Sequence, residues 1–173
     1  MKILLVGATG TIGQKVQQRL AENHEVISVG YKVGDYVTGR GGWQHYAVMK
    51  AAEIRKVDPG LAPISTSLGV LGMPGHTAYS GLLTIGDPKP GETVVVSAAS
   101  GAVGGIVGQI AKIKGARAVG VAGIKEKCDY VTGELGFDAC VTHHSDTLAA
   151  DLKAACPKGI DVYFENVGGK VFE

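Results

Sequence analysis

Residues 92–109 read ETVVVSAASGAVGGIVGQ and carry the clearest structural pattern in the chain. Their first part, Thr93 to Val96, is a short apolar and β-branched run, which is typical of a strand buried on both faces. Glycines follow at positions 101, 104, 105 and 108, and apolar residues then recur at helical spacing. The stretch therefore predicts a strand, a glycine-rich turn and a helix in direct succession.

A strand, glycine turn and helix in this order form a motif that binds dinucleotides. The first glycine permits the tight turn, the next lets the backbone approach a pyrophosphate, and a later one lets the helix lie close to the sheet. The free N–H groups and the positive dipole at the helix start favour phosphate. We therefore predict that a dinucleotide contacts four residues of the turn, Ser100, Gly101, Val103 and Gly104.

The composition limits the kinds of partner that the chain can have. The sequence has 173 residues, 45% hydrophobic content and a formal net charge of +1. This balance is typical of a globular protein and favours neither a nucleic-acid nor a membrane-surface partner. The chain begins without the apolar core and cleavage site of a signal peptide, so we expect a cytoplasmic protein. The three cysteines match neither zinc spacing nor a disulfide framework, and we expect free thiols.

Residues 1–30 have the pattern of a second βαβ unit. Ile3 to Val6 and Glu25 to Val29 are predicted as strands, and a glycine turn follows the first of them. The unit resembles the opening of short-chain dehydrogenase/reductases, which implies nucleotide contacts at Gly7, Gly10 and Gly13. The same unit can also serve only as extra sheet, since a fold element does not carry a function by itself.

The character of the sequence changes at Tyr31. Residues 31–37 and 42–48 are short, alternating and punctuated by glycine, which favours strands over helices. They resemble parts of the small antiparallel barrel domain of medium-chain dehydrogenase/reductases. We therefore divide the chain into a short-chain-type βαβ unit at 1–30, a partial catalytic-domain β segment at 31–72, and a Rossmann domain with its leading helix at 73–173.

From residue 58 onward the resemblance to that family is continuous. It rests on residues 71–83, LGMPGHTAYSGLL, on the strand and glycine turn of residues 90–108, and on residues 164–169, FENVGG. These motifs resemble the zinc-independent branch that contains leukotriene hydroxydehydrogenase, prostaglandin reductase and curcumin reductase. The resemblance implies NADPH-dependent reduction of the C=C bond of α,β-unsaturated ketones and aldehydes, without a metal.

The resemblance also implies roles for individual residues. Asn166 corresponds to a family residue near the nicotinamide ribose, and the helix with Thr77 and Tyr79 borders the nicotinamide. We predict that this helix has Pro74 in its first turn and runs through His76 to Leu83, with Gly86 past its end. Conjugate reduction needs mainly hydride placement and a hydrogen-bond donor to the developing enolate, so Tyr79 and Asn166 are the catalytic candidates. Tyr79 can equally be a core aromatic with its hydroxyl at the surface.

The cofactor is predicted from the end of the second strand, residues 118–122. In NAD-binding folds an acidic residue stands there, about 20 positions past the glycine turn. This chain instead continues GIKEK over residues 123–127, and lysine attracts a 2′-phosphate. We therefore predict NADP(H), with Gly123 and Lys127 as contacts, and the resemblance implies the same role for Lys127. Lys125 and Lys127 can also be ordinary solvated charges at a helix start.

His143 and His144 follow the strand predicted at 137–141 and suggest a metal site. Adjacent residues on an extended chain point to opposite sides, so the pair cannot easily hold one ion. We therefore predict no metal site, and we expect either a loop pair near the adenosine phosphates or ordinary surface histidines.

The predicted strands give the fold class. Strands near residues 93–97, 117–122, 138–141 and 161–164 take the first to fourth positions of a doubly wound parallel (Rossmann) sheet. The fold is therefore predicted as α/β, with this sheet incomplete and with a partial antiparallel β segment. The edge beyond the fourth strand lacks a partner in this pattern, and the unit at residues 1–30, another copy of the chain or a further part of a longer protein can cover it. The second case is a homo-oligomer through the unpaired edge. A nucleotide-binding module without turnover is the alternative to an enone reductase.

Overall fold

The computed structural model describes residues 2–3, 25–26, 35–42 and 47–169. The chain divides into two compact units, Met1–Ser67 and Leu68–Glu173. The second unit contains the glycine-rich stretch and a four-stranded sheet. The division into segments 1–30, 31–72 and 73–173 stays a prediction.

The first unit contains two strand pairs. Strand β1 (Lys2–Ile3) pairs in parallel with β2 (Glu25–Val26), as a βαβ unit requires. The predicted glycine turn with Gly7, Gly10 and Gly13 lies outside the described residues.

The second pair is antiparallel, which agrees with the predicted antiparallel segment. Strand β3 (Tyr36–Gly39) pairs with β4 (Ile54–Val57). The prediction of a strand over residues 42–48 is wrong where it can be checked, because residues 42 and 47–48 are not in a strand. Residues 43–46 lie outside the described part. The partner strand is β4, and its two adjacent charged residues interrupt the alternation of apolar and polar residues that would predict a strand.

The second unit contains the predicted parallel sheet. Its strands are β5 (Thr93–Val96), β6 (Arg117–Ala122), β7 (Ala139–Thr142) and β8 (Val162–Phe164). The spatial order is β7-β6-β5-β8, and all neighbours are parallel. This is the 3-2-1-4 arrangement of a doubly wound sheet, so the predicted fold class is confirmed. Among the described residues, no strand pairs with the outer side of β8.

Four helices accompany this sheet. They are α1 (Met73–Ser80), α2 (Gly104–Ile113), α3 (Lys125–Gly133) and α4 (Leu148–Ala155). Side chains of β5 alternate between two cores: Val94 and Val96 pack with residues of α1, α2 and α3, whereas Val95 packs with residues of α4. Both faces of the sheet are therefore covered, which explains why all four residues of β5 are buried.

The predicted end of α1 needs correction. The helix begins at Met73, with a proline in its first turn, and continues as a π-helical segment through Gly86. It ends at Asp87, which has a left-handed φ of 42°. A side chain at Gly81 would lie 2.7 Å from the ring of Phe164. Gly81 and Gly86 therefore allow the helix to pack closely against β8, and they do not end the helix.

Within the described residues, the structure contains no helix with the length and apolar content needed to cross a membrane.

Candidate functional site

The glycine turn between β5 and α2 is closed too tightly for a side chain at Gly104. A Cβ atom there would lie 2.4 Å from the carbonyl oxygen of Ala98. Ala98 itself has a left-handed φ of 46°, and its carbonyl accepts a hydrogen bond from the Gly101 amide at 2.8 Å. The backbone can take this path only because position 104 is glycine.

The start of α2 presents backbone donors. No backbone acceptor among the described residues receives a hydrogen bond from the amides of Ala102, Val103 or Gly104, and no side chain caps this helix. Free amides at a helix N-terminus, together with the positive end of the helix dipole, bind anions. The predicted contacts Ser100, Gly101, Val103 and Gly104 lie in this turn and at the start of α2.

A later glycine, Gly108, brings α2 close to its neighbours. A Cβ at this position would lie 1.8 Å from the ring of Phe137. The residue is buried, and so is the ring. Gly108 therefore fulfils the packing role that the sequence assigns to the last glycine of the motif.

The two lysines after β6 differ in their surroundings. Lys125 forms an ion pair with Asp129, with Nζ 2.6 Å from one carboxylate oxygen and 2.7 Å from the other. The hydrogen bond to Asp129 raises the pKa of Lys125 above its usual value. Lys127 is exposed and has no hydrogen-bond or ion-pair partner among the described residues. Its charge is therefore available to an anion, beside Gly123 at the end of β6.

The histidine pair lies in a turn after β7. The rings of His143 and His144 are 4.0 Å apart between centroids, so the expectation that they point to opposite sides is wrong. That expectation assumed extended backbone, whereas the chain turns at both residues. His143 Nδ1 lies 3.1 Å from the carbonyl oxygen of Ala122, and a Cβ at Gly123 would lie 3.5 Å from the same ring. Among the described residues, no three histidine, cysteine or acidic side chains are grouped to hold a metal ion.

Another part of the candidate site lies at the adjacent carboxyl ends of β5 and β8. The Asn166 amide N–H donates to Ser97 Oγ at 2.7 Å, and its side-chain Nδ2 donates to the Ser97 carbonyl at 3.1 Å. Sequence reasoning found Asn166 but missed Ser97 and Glu165. The Ser97 hydroxyl donates to Glu165 Oε1 at 2.9 Å, a contact between residues far apart in the chain.

Glu165 is ionised over the whole physiological range. Burial raises its pKa, but the Tyr163 hydroxyl, the amides of Gly168 and Val167 and the Ser97 hydroxyl outweigh burial and hold the pKa at about 2. The same contact with Glu165, together with burial, raises the pKa of Tyr163. A permanent negative charge therefore lies at the end of β8.

The two candidates on α1 lie at the surface. Thr77 is exposed, and Tyr79 is 61% exposed, so the interpretation of Tyr79 as a core aromatic is wrong. The buried face of the helix is formed by other residues, among them Ala78. Helix α1 packs on α2, so both candidates are carried by an element that contacts the helix of the glycine turn.

These features define a dinucleotide-binding Rossmann unit. The glycine turn, Gly123 with Lys127, and Asn166 follow three adjacent parallel strands, β5, β6 and β8, at their carboxyl ends. Ligands of open α/β sheets bind at this edge, next to the point where the strand order reverses.

Comparisons with known proteins show which proteins the chain resembles. A family model described as zinc-binding dehydrogenase matches residues 102–173. NADPH-dependent curcumin reductase of Escherichia coli (strain K12) is 54% identical over 162 residues, which are 94% of this chain and 46% of that protein. The NADP(+)-dependent 2-alkenal reductase of Nicotiana tabacum is 47% identical over 145 residues, 83% of this chain and 42% of that protein. The chain is therefore similar to the curcumin reductase and prostaglandin reductase branch of the medium-chain dehydrogenase/reductase family.

A solved structure agrees with this placement. CurA from Vibrio vulnificus, determined in complex with NADPH, has a TM-score of 0.77 and 51% sequence identity, over 82% of this chain and 42% of that one. The chain therefore spans less than half the length of each of these three proteins. The match to the curcumin reductase covers more of the chain than residues 31–173 contain, so it includes part of the first 30 residues.

Proposed function

We propose that this chain binds NADP(H) and serves an oxidoreductase that reduces the C=C bond of α,β-unsaturated ketones and aldehydes. The observation that carries the proposal is the turn between β5 and α2, where three backbone amides have no acceptor among the described residues and a Cβ at Gly104 would lie 2.4 Å from the backbone. The names of the relatives, a curcumin reductase and a 2-alkenal reductase, support the substrate class.

The residues of the site fit the parts of NADPH. Ser100, Gly101, Val103 and Gly104 would hold the pyrophosphate at the start of α2. Lys127 would pair with the 2′-phosphate, because its ammonium has no partner among the described residues whereas Lys125 is paired with Asp129. Asn166 would contact the nicotinamide ribose. Bound NADPH supplies the hydride.

The chain would support reduction without zinc. Hydride addition to a conjugated C=C bond places negative charge on the substrate's carbonyl oxygen, and a hydrogen-bond donor can stabilise this charge without a Lewis acid. We propose Tyr79 as this donor, because the Tyr79 side chain is exposed and does not pack in the core. Thr77 would lie beside the cofactor. Asn166 donates one of its two Nδ2 hydrogens to the Ser97 carbonyl and keeps the other, so it remains the second candidate donor.

Other features complete the proposal. The partner is a small enone, with no role for nucleic acid or membrane, and the enzyme works in the cytoplasm. Copies of the protein associate through the open side of β8. Residues 1–30 form a βαβ unit, in which Gly7, Gly10 and Gly13 make a second nucleotide-binding turn. Residues 31–72 are part of the catalytic domain, and residues 73–173 are the NADPH domain.

Absorbance at 340 nm tests the function directly. The protein is mixed with NADPH and a 2-alkenal, and NADPH binding is measured separately by calorimetry. Loss of absorbance that depends on the alkenal supports the reductase. Tight binding without turnover would favour a nucleotide-binding module, and the absence of binding would refute both.

A further inference from the structure

A polar network that includes the buried Ser97 joins the ends of β5 and β8. Ser97 is 0% exposed and has one hydroxyl proton. Glu165 Oε1 lies 2.9 Å from this hydroxyl, whereas the carbonyl oxygen of Phe164 lies 3.5 Å away, so the proton is donated to the carboxylate. The hydroxyl oxygen is then oriented to accept the Asn166 N–H at 2.7 Å.

Several donors converge on a single oxygen of Glu165. Besides the Ser97 hydroxyl, the amides of Val167 and Gly168 donate to Oε1, the latter at 2.7 Å. The other oxygen, Oε2, is buried and has no hydrogen-bond partner within the described part of the chain. Such a convergence of donors on Oε1 suits an ionised carboxylate, which has no proton to donate.

The network fixes the orientation of the Asn166 side chain. Its Nδ2 donates to the Ser97 carbonyl at 3.1 Å, and a reversed amide would place two acceptor oxygens against each other. The amide oxygen, Oδ1, has no partner among the described residues and remains as an acceptor. Asn166 can therefore accept from a ribose hydroxyl or from the N–H group of a carboxamide.

We propose that Glu165 is a positioning residue for the nicotinamide end of the cofactor, acting through Ser97 to hold Asn166 with its Oδ1 free for the ligand. The inference rests on the proposed function. It is supported by the position of all three residues at the carboxyl ends of β5 and β8, where β8 lies on the other side of β5 from β6.

The negative charge of Glu165 should contribute more to the position of Asn166 than the shape of the Glu165 side chain does. Glutamine has nearly the same shape, but a neutral amide oxygen accepts more weakly from the donors around Glu165, the Tyr163 hydroxyl among them. Its NH₂ group would also lie near the position of Oε2, where the described residues offer no hydrogen-bond partner. The Ser97 hydroxyl would then lose its fixed orientation and with it the contact to Asn166.

The affinities of two ligands distinguish a positioning role of Glu165 from a general structural role. NADPH has both ends of the cofactor, whereas adenosine 2′,5′-bisphosphate has only the adenosine end. Calorimetry should show that Glu165→Gln weakens NADPH about tenfold, as expected for one charge-assisted contact, and leaves the bisphosphate unchanged. The matched control is Glu134→Gln, which removes an exposed carboxylate and should change neither affinity.

Each outcome has a distinct meaning. Equal losses for both ligands, or an unchanged NADPH affinity, would overturn the positioning role of Glu165. If the wild-type protein binds neither ligand, the proposed function fails instead. Should circular dichroism show that Glu165→Gln is unfolded, Ser97→Ala provides the test, because it removes the same link and must show the same selective loss. Full NADPH affinity in Ser97→Ala would also overturn the proposal.

Discussion

Replacement of Lys127 by alanine should change the preference between cofactors. Lys127 lies in the first turn of α3, directly after β6, and its ammonium has no partner among the described residues. The 2′-phosphate is the only group that distinguishes NADPH from NADH. Loss of this lysine should therefore weaken NADPH and leave NADH nearly unchanged.

The size of the effect follows from the kind of contact. A hydrogen bond to a charged group contributes about 1.5–3 kcal/mol, which corresponds to roughly a ten- to hundredfold change in Kd. Because Lys127 is exposed, screening by water and salt favours the lower end, about tenfold. The difference between the two cofactors should shrink further as salt is added.

Lys125→Ala provides the matched control. The two lysines are two positions apart, but Lys125 is held by Asp129, so its removal should change the Kd of NADPH by less than about threefold. Both variants are titrated with NADPH and NADH by fluorescence or calorimetry. Equal losses of both cofactors in Lys127→Ala, or a larger NADPH loss in Lys125→Ala, would refute the assignment.

Three further predictions concern the fold around the site. Gly104→Val should abolish NADPH binding and lower Tm, because its Cβ would lie 2.4 Å from the Ala98 carbonyl oxygen; unchanged affinity would place the phosphates elsewhere. Gly108→Ala should destabilise the fold by about 1–3 kcal/mol in urea unfolding, because its Cβ would lie 1.8 Å from the Phe137 ring; an unchanged midpoint would show that the ring moves freely. Burial raises the pKa of Asp138, but hydrogen bonds from a lysine and a backbone amide outweigh burial, so the pKa is lowered overall. The contribution of ionised Asp138 to stability is therefore present above about pH 4 and is lost as the pH falls. Asp138→Asn should therefore narrow the difference in Tm between pH 7 and pH 3, and an unchanged difference would contradict this reasoning.

The fold was predictable where the signal is local. Val94 to Val96 and the glycines after them have a pattern that few structures other than a buried strand and a tight turn can satisfy. Their burial and the strand order β7-β6-β5-β8 confirm it. Strand β4 and helix α4 were missed. The sequence of β4, IRKV, places two charges between its apolar ends, and only its pairing with β3 makes it a strand.

The site was predictable in part for the same reason. The turn at Gly101 and Gly104 is local, and so is the lysine cluster after β6. By contrast, Ser97 meets Glu165 and Asn166 across 68 and 69 positions of sequence, and no local pattern encodes that contact. The difference between Lys125 and Lys127 also became clear only when the position of Asp129 was known.

Isotope transfer tests the central claim most directly. The protein is incubated with a 2-alkenal and NADPH that carries two deuterium atoms at C4, and the product is analysed by mass spectrometry and NMR. Reduction of the conjugated C=C bond predicts a saturated aldehyde with one deuterium on the β-carbon, while the α-carbon takes its proton from solvent. Deuterium on the former carbonyl carbon, as in an allylic alcohol, or no transfer at all would contradict the account.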